Sequence, residues 1–287
     1  MTIINFFDLK INEVNSVEEF KSSTSDDSDV VEIVGKYFAL SSVRPKKISW
    51  RANLENIDDV FDFVKSSKLR DNLKKWNSEL AQENLKIEAS ENLTKHEYIA
   101  WLSLYKSIIR EKDRGNIKLN EDWFDQKLAK GLKIGTVLIY EGSELLGGNI
   151  FTIGEKFTVG YGVIKKVERL KSWNLGALVD FESIKKGREM GYKVVSFGKD
   201  TNLYGHHLSS GLFSYKCRLG LTPEPFEEDG YVTTKILSFE KFTFPVIFLS
   251  INEDGESKIE VYWKETPPNT KEFEPKNVSN IELHEVV

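Results

Sequence analysis

Cysteine is all but absent: Cys217 stands alone among 287 residues. A single thiol excludes a disulfide framework and a cysteine-built zinc site, and it sets the expected compartment as a reducing cytoplasm. Long apolar runs are missing as well. None approaches the ~18 residues of a membrane-crossing helix, so no membrane span is expected. The segment Met1–Lys10 lacks a basic patch, an apolar core and a small-residue cleavage site, and does not read as a signal peptide. Excess charge of one sign is missing from most of the chain. The formal net charge is −5, yet residues 251–287 carry nine acids against four lysines and account for all of it. The first 250 residues balance at 36 against 36. An anionic ligand therefore meets no global repulsion, nothing steers long nucleic acid, and no DNA partner is expected.

What is present suffices for a core, with 40% hydrophobic and 12% aromatic residues, outside the composition of disordered chains. Residues 21–29 (KSSTSDDSD) read as a polar surface loop. Val30–Leu40 and Ile48–Leu54 read as strands, with a turn at Arg44-Pro45 between them. Leu69, Leu73, Trp76 and Leu80 recur at helical spacing. A strand at Leu85–Ala89 precedes Thr94-Lys-His-Glu97, a capping box, which opens a helix carrying Tyr98, Trp101, Leu102, Tyr105, Ile108 and Ile109 on one stripe. A short helix follows around Trp123–Lys130. Three strands, Lys133–Tyr140, Leu145–Ile153 and Phe157–Lys166, are joined by turns short enough for antiparallel hairpins. Asn174 opens a helix that runs to Met190, with Gly191 as its stop, and Lys193–Phe197 reads as an interior strand. A helix capped near Ser209 or Ser210 ends at Gly220. Strands near Tyr231–Leu237, Phe244–Ile251 and Lys258–Trp263 precede a loose tail from Thr266. This order predicts an α/β layer fold, a mixed and mostly antiparallel sheet flanked by helices.

The segment from Phe157 to Gly176 carries the strongest chemical signal. Gly160 and Gly162 suit a bulge or a close backbone approach. Lys171-Ser172-Trp173-Asn174-Leu175-Gly176 then enters a helix with no acid before Asp180. The unpaired amides and partial positive charge of such a start suit a phosphate or pyrophosphate. The same residues also fit a plain strand–turn–helix with an asparagine cap. Farther on, Asp200 follows an interior strand, a usual place for ligand contacts, or else shapes a turn with Asn202. Lys216 is either a snorkelling lysine near a helix end or an ammonium at the border of a buried face. Tyr204 and Tyr215 are core aromatics or proton donors. His206 and His207 point in diverging directions, and no third ligand has fitting spacing, so no metal is expected; the pair reads as lining an entrance or facing solvent. Cys217 reads as an inert thiol. Lys65, Lys68, Arg70, Lys74 and Lys75 hold phosphates or form a solvated face.

The element order and the 157–176 segment resemble the GNAT acyltransferases, in which a splayed, bulged fourth strand and the next helix hold the pyrophosphate of coenzyme A. That family's loop is Arg/Gln-x-x-Gly-x-Gly/Ala; Lys171, Asn174 and Gly176 occupy its three places, and the last matches. A second block, Gly191-Tyr-Lys-Val-Val-Ser-Phe-Gly198-Lys-Asp200 followed by Tyr215-Lys216-Cys217-Arg-Leu-Gly220, resembles the Fem-type aminoacyltransferases and their GNAT-like relatives. Those show a strand ending in an aromatic-Gly pair and an aromatic-Lys-x-x-aromatic/aliphatic-Gly helix end. Ser67–Lys75 is similar to the basic helix before their catalytic half. The resemblance spans residues 65–240.

The resemblance implies a GNAT-like fold with a partial second lobe at 1–80, a catalytic domain at 81–250, and a C-terminal strand with an acidic tail at 251–287. It implies an N-acyltransferase that moves an acyl group from acetyl-CoA or another acyl-CoA to an amine on a small molecule, sugar or peptide, by direct attack. The alternatives are a Fem-like aminoacyltransferase using aminoacyl-tRNA, whose donor demands a basic surface that the balanced charge does not supply, and a non-catalytic GNAT-fold binding protein. Lys216 corresponds to the Fem-type lysine near the reaction centre, able to stabilise an oxyanion. Tyr204 and Tyr215 are candidates for protonating the leaving thiolate, and Asp200 for deprotonating the acceptor. Lys171, Ser172, Trp173, Asn174, Leu175 and Gly176 are the candidates for holding the coenzyme.

Overall fold

The computed structural model describes residues 2–112, 115–278 and 280–286. A hairpin with no counterpart among the expected strands comes first, β1 (Thr2–Phe6) and β2 (Leu9–Val14). Next are α1 (Val17–Ser22), β3 (Val30–Val34), β4 (Ser42–Pro45) and β5 (Lys47–Asn53). The short α2 (Val60–Phe63) leads to α3 (Ser67–Glu79), which buries Leu73 and Trp76 as the helical spacing predicts. β6 (Leu85–Ser90) precedes α4 (Lys95–Arg110), where Thr94 and Glu97 form the expected capping box. α5 (Asp122–Ala129), β7 (Lys133–Glu141), β8 (Glu144–Ile153) and β9 (Phe157–Ile164) follow. α6 (Leu175–Glu189), β10 (Val194–Thr201) and α7 (Ser210–Leu219) come next. The chain closes with β11 (Thr222–Pro225), β12 (Tyr231–Ile236), β13 (Val246–Ile251), β14 (Ser257–Trp263) and β15 (Ile281–Glu285).

The fold is mixed α/β, with two mostly antiparallel sheets and helices. The chain divides into two compact units, Met1–Trp50 with Lys199–Val287, and Arg51–Gly198. These boundaries fall inside β5 and β10.

In the unit Arg51–Gly198, β6 to β9 form an antiparallel meander, and β10 joins β9 in parallel, Val195 beside Phe157 and Ser196 beside Thr158. Tyr98, Trp101, Leu102 and Tyr105 of α4 bury themselves against Ile134, Leu138, Ile150 and Val163 of the sheet. Each such side chain contributes roughly 1.5–3 kcal/mol of burial. This is the expected mixed, mostly antiparallel sheet flanked by helices.

In the other unit, eight strands run in the order β1-β2-β3-β12-β4-β13-β14-β15, antiparallel except for β2 with β3 and β14 with β15. Leu9, Val30, Leu203, Val246 and Phe248 form a core there. Three expectations are corrected in this unit. Arg44-Pro45 is not a turn but the end of β4, Arg44 paired with Val232 and Pro45 with Tyr231. The proline is tolerated because it closes the strand, and the buried arginine has a hydrogen bond from each of its three guanidinium nitrogens. The polar stretch 21–29 ends buried, since Asp29 Oδ2 accepts the Lys10 amide and the Lys241 ammonium, each at 2.8 Å. The tail beyond Thr266 is not wholly loose: β15 pairs in parallel with β14 from Ile259–Ile281 to Trp263–Glu285. Among the described residues no helix is long and apolar enough to cross a membrane.

Candidate active site

The first piece lies in the unit Arg51–Gly198. Along β8 and β9, Ile150 pairs with Tyr161 but Phe151 pairs with Val159, so Gly160 is the extra residue of a bulge. Gly162 is required for a different reason. A side chain there would start 2.0 Å from Asn149 Oδ1. With glycine in place, Asn149 Nδ2 donates to Asp180 Oδ1 at 2.7 Å and to Ser183 Oγ at 3.1 Å. These bonds tie α6 to the sheet and so fix where its N-terminus stands.

That N-terminus is capped by Asn174, whose Oδ1 accepts the Ala177 amide at 3.0 Å. Its first turn holds no acid. The amides of Leu175 and Gly176 belong to the set that no helix satisfies internally, and a Cβ on Gly176 would meet only Asn174 Oδ1, at 3.5 Å. Among the described residues, no side chain apart from the cap itself crowds Gly176. Trp173 stacks on Trp76, ring centres 5.9 Å apart, and pins the preceding turn. Leu175 is buried, whereas Lys171 is exposed with its ammonium 3.1 Å from Glu168. Of the basic cluster on and before α3, Lys68, Lys74 and Lys75 are solvated.

The second piece lies in the other unit. Asp200 Oδ2 accepts three donors: Lys216 Nζ at 2.6 Å, Tyr204 Oη at 2.6 Å and Trp50 Nε1 at 2.9 Å. Trp50 Nε1 also reaches Tyr204 Oη at 3.0 Å, and Lys216 Nζ lies 5.2 Å from the Trp50 ring centre. Phe213 packs edge-on against both Trp50 and Tyr204. The lysine reaches this place because α7, capped by Ser209 and ended by Gly220 at φ +105°, turns Phe213, Lys216 and Cys217 inward. Burial first, and then the Asp200 carboxylate, push the Tyr204 phenol well above its ordinary value. It is a fixed donor to Asp200. An anchored ammonium with an edge toward solvent can stabilise a developing oxyanion, and the carboxylate that holds it sets its direction.

The structure thus brings Lys216, Asp200 and Tyr204 together and leaves Tyr215 outside their bonds, half-buried on α7. Cys217 is buried. His206 and His207 line a cavity in the same unit; His206 Nε2 lies 2.8 Å from Asp8 Oδ1, and His207 stacks on Phe7.

No family model matches the sequence, and no curated protein does. Solved structures are similar. They include FemX, at 12% identity and a TM-score of 0.47, over 72% of this chain and 72% of that one. A tandem GNAT protein from the clavulanic acid biosynthesis pathway is 11% identical, with a TM-score of 0.41, over 75% of this chain and 66% of that one. The C-terminal domain of a putative lysylphosphatidylglycerol synthetase from Agrobacterium fabrum is 11% identical, with a TM-score of 0.42, over 80% and 78%.

Sequence reasoning missed Trp50, which bonds Asp200 and Tyr204. The available signal was an indole in a short apolar strand, since a buried N–H requires an acceptor. It also missed a cluster at the sheet edge, where Glu260, Glu282 and His284 bring possible ligand atoms within 4.8 Å of one another. Lys258 already supplies a cation there, 2.6 Å from Glu282 and 3.4 Å from Glu260. Those residues are remote in sequence until β15 is known to pair with β14.

Proposed function

We propose that the protein is an N-acyltransferase that uses a coenzyme A thioester. The observation that carries this reading is the bulged β9 followed by an acid-free, asparagine-capped α6 with an uncrowded Gly176 in its first turn. A diphosphate is the ligand that such a helix start holds best. In this reading Lys171, Ser172 and Trp173 flank the phosphates, and the coenzyme is the donor substrate.

The chemistry is a direct attack. The amine nitrogen forms a bond to the thioester carbonyl carbon, the C–S bond breaks, and one amine proton leaves with the thiolate as free thiol. Lys216 is the candidate for stabilising the oxyanion of the tetrahedral intermediate. Asp200, with three donors on one oxygen, is a positioning residue for Lys216, and Tyr204 and Trp50 hold Asp200 in turn. Tyr215 is left as the tyrosine that could protonate the leaving group.

An aminoacyl-tRNA donor is the second reading, favoured by the Tyr215-Lys216-x-x-x-Gly220 helix end. Calorimetric titration decides between them. Coenzyme A binding at one site, with a raised melting temperature, supports the thioester donor. No response to coenzyme A together with salt-sensitive tRNA binding supports the other.

A further inference from the structure

In the parallel ladder between β14 and β15, Glu282 stands beside Glu260 and His284 beside Tyr262. Alternation along the two strands sends Lys258, Glu260, Tyr262, Glu282 and His284 to one face of the sheet. The His284 imidazole is placed there for a ligand and not for a hydrogen bond. Its Nε2 lies 3.5 Å from Glu260 Oε2 and 3.7 Å from Glu282 Oε2, too long for either to be one. That nitrogen is buried and has no hydrogen-bond partner among the described residues. Neither has Glu260 Oε1, on a side chain only 1% exposed.

Ligands about 2.0–2.2 Å from a tetrahedral zinc ion stand about 3.4 Å from one another. Two of the three edges here already have nearly that length, and all three ligand atoms lie within 4.8 Å. Charge favours a cation as well. Two carboxylates face one ammonium, that of Lys258, which leaves a net charge of −1. Lys258 Nζ is 2.6 Å from Glu282 Oε2 but 3.4 Å from Glu260, and there it faces Oε1, the oxygen away from His284. Glu260 Oε2 is oriented by Ser42 Oγ, which donates to it at 2.7 Å, and the plane of His284 by stacking on Tyr262 at 4.5 Å. Such outer contacts direct the ligands of metal sites. One imidazole with two carboxylates suits zinc, whereas magnesium and calcium prefer oxygen alone.

We propose that Glu260, Glu282 and His284 bind a zinc ion, with water as the fourth ligand, and that the ion fastens β15 to β14. Glu282 turns an oxygen from Lys258 to the ion. Its side chain and that of His284, 47% and 36% exposed, leave the ion a path from solvent. The proposal does not rest on acyl transfer.

Calorimetric titration of the full chain with zinc chloride, and with magnesium chloride as the control, tests this. Zinc is expected to bind and magnesium is not. His284→Ala is expected to weaken zinc binding at least about tenfold, and Lys258→Met to leave it as tight or make it tighter. Bound zinc is expected to raise the melting temperature and to slow amide exchange along β15, and both effects are expected to vanish in His284→Ala. Four results overturn the proposal: no zinc binding, magnesium bound as tightly, affinity unchanged in His284→Ala or weakened in Lys258→Met, and β15 exchange untouched by bound zinc. If His284→Ala fails to fold, Glu282→Gln replaces it, with weaker zinc binding as support and unchanged binding as refutation.

Discussion

Lys216 Nζ and Asp200 Oδ2 stand 2.6 Å apart, the lysine side chain 11% and the aspartate side chain 16% exposed. Two charges so far removed from water depend on each other, because either one alone carries its full desolvation cost. Lys216→Met keeps the volume of the side chain and leaves Asp200 bonded to Tyr204 and Trp50. Turnover is expected to fall by about a hundredfold or more, as when an oxyanion donor is lost, with coenzyme A affinity unchanged by calorimetry. Asp200→Asn strands the ammonium instead and is expected to lower stability by on the order of 3 kcal/mol in chemical denaturation.

The start of α6 offers a substitution that separates charge from capping. Asn174→Asp retains an oxygen for the Ala177 amide and suits the helix dipole, so the melting temperature is expected to hold or rise. Coenzyme A affinity is expected to fall by about tenfold through repulsion between the carboxylate and the phosphates. An affinity equal to that of the parent protein would place the diphosphate elsewhere.

Gly162→Ala tests how α6 is positioned. The new methyl would stand 2.0 Å from Asn149 Oδ1, so the Asn149 side chain must leave Asp180 and Ser183. Losing those buried bonds is expected to cost roughly 1–3 kcal/mol, read as a lower denaturation midpoint, together with weaker coenzyme A binding. Stability equal to the parent would show that α6 does not depend on this anchor.

Glu260 gives a pH dependence. Burial acts to raise its carboxyl, but contacts with His284, Ser250 and Ser42 and the Lys258 charge outweigh it and hold the group at about 2. The folded value lies below the unfolded one, about 4.3, so the folded state binds this proton less readily. Its stabilisation is complete above the unfolded value and disappears as the pH falls from about 4.3 to about 2. The contribution is on the order of 3 kcal/mol. Denaturation of the parent and of Glu260→Gln across that window is expected to show the difference between them shrinking as the pH falls. A constant difference would contradict the assignment.

Local signals made the unit Arg51–Gly198 readable. The Thr94–Glu97 box, the stripe from Tyr98 to Ile109, the short hairpin turns and the Asn174 cap are all set by neighbours within a few residues, and each lies where it was expected. Gly160 and Gly162 announced irregularity, but only the strand register shows that one makes the bulge and the other makes room for Asn149. The other unit was harder because its sheet joins strands from both ends of the chain. β12 lies between β3 and β4, and β15 depends on β14. Arg44-Pro45 looks like a turn until Glu32, Asn202 and Thr234 are known to surround the guanidinium. At the candidate site, Lys216, Asp200 and Tyr204 were legible through motif and position. Trp50, some 150 residues distant in sequence from Asp200, was not.

The account is tested most directly by following acetyl-CoA with a panel of primary amines, measuring free thiol by a colorimetric reagent and the product by mass spectrometry. Amine-dependent thiol release matched one-to-one by the N-acetylated amine, and abolished in Lys216→Met, is the predicted result. Acetyl-CoA recovered intact across the panel, from folded protein that does not bind coenzyme A, would contradict it.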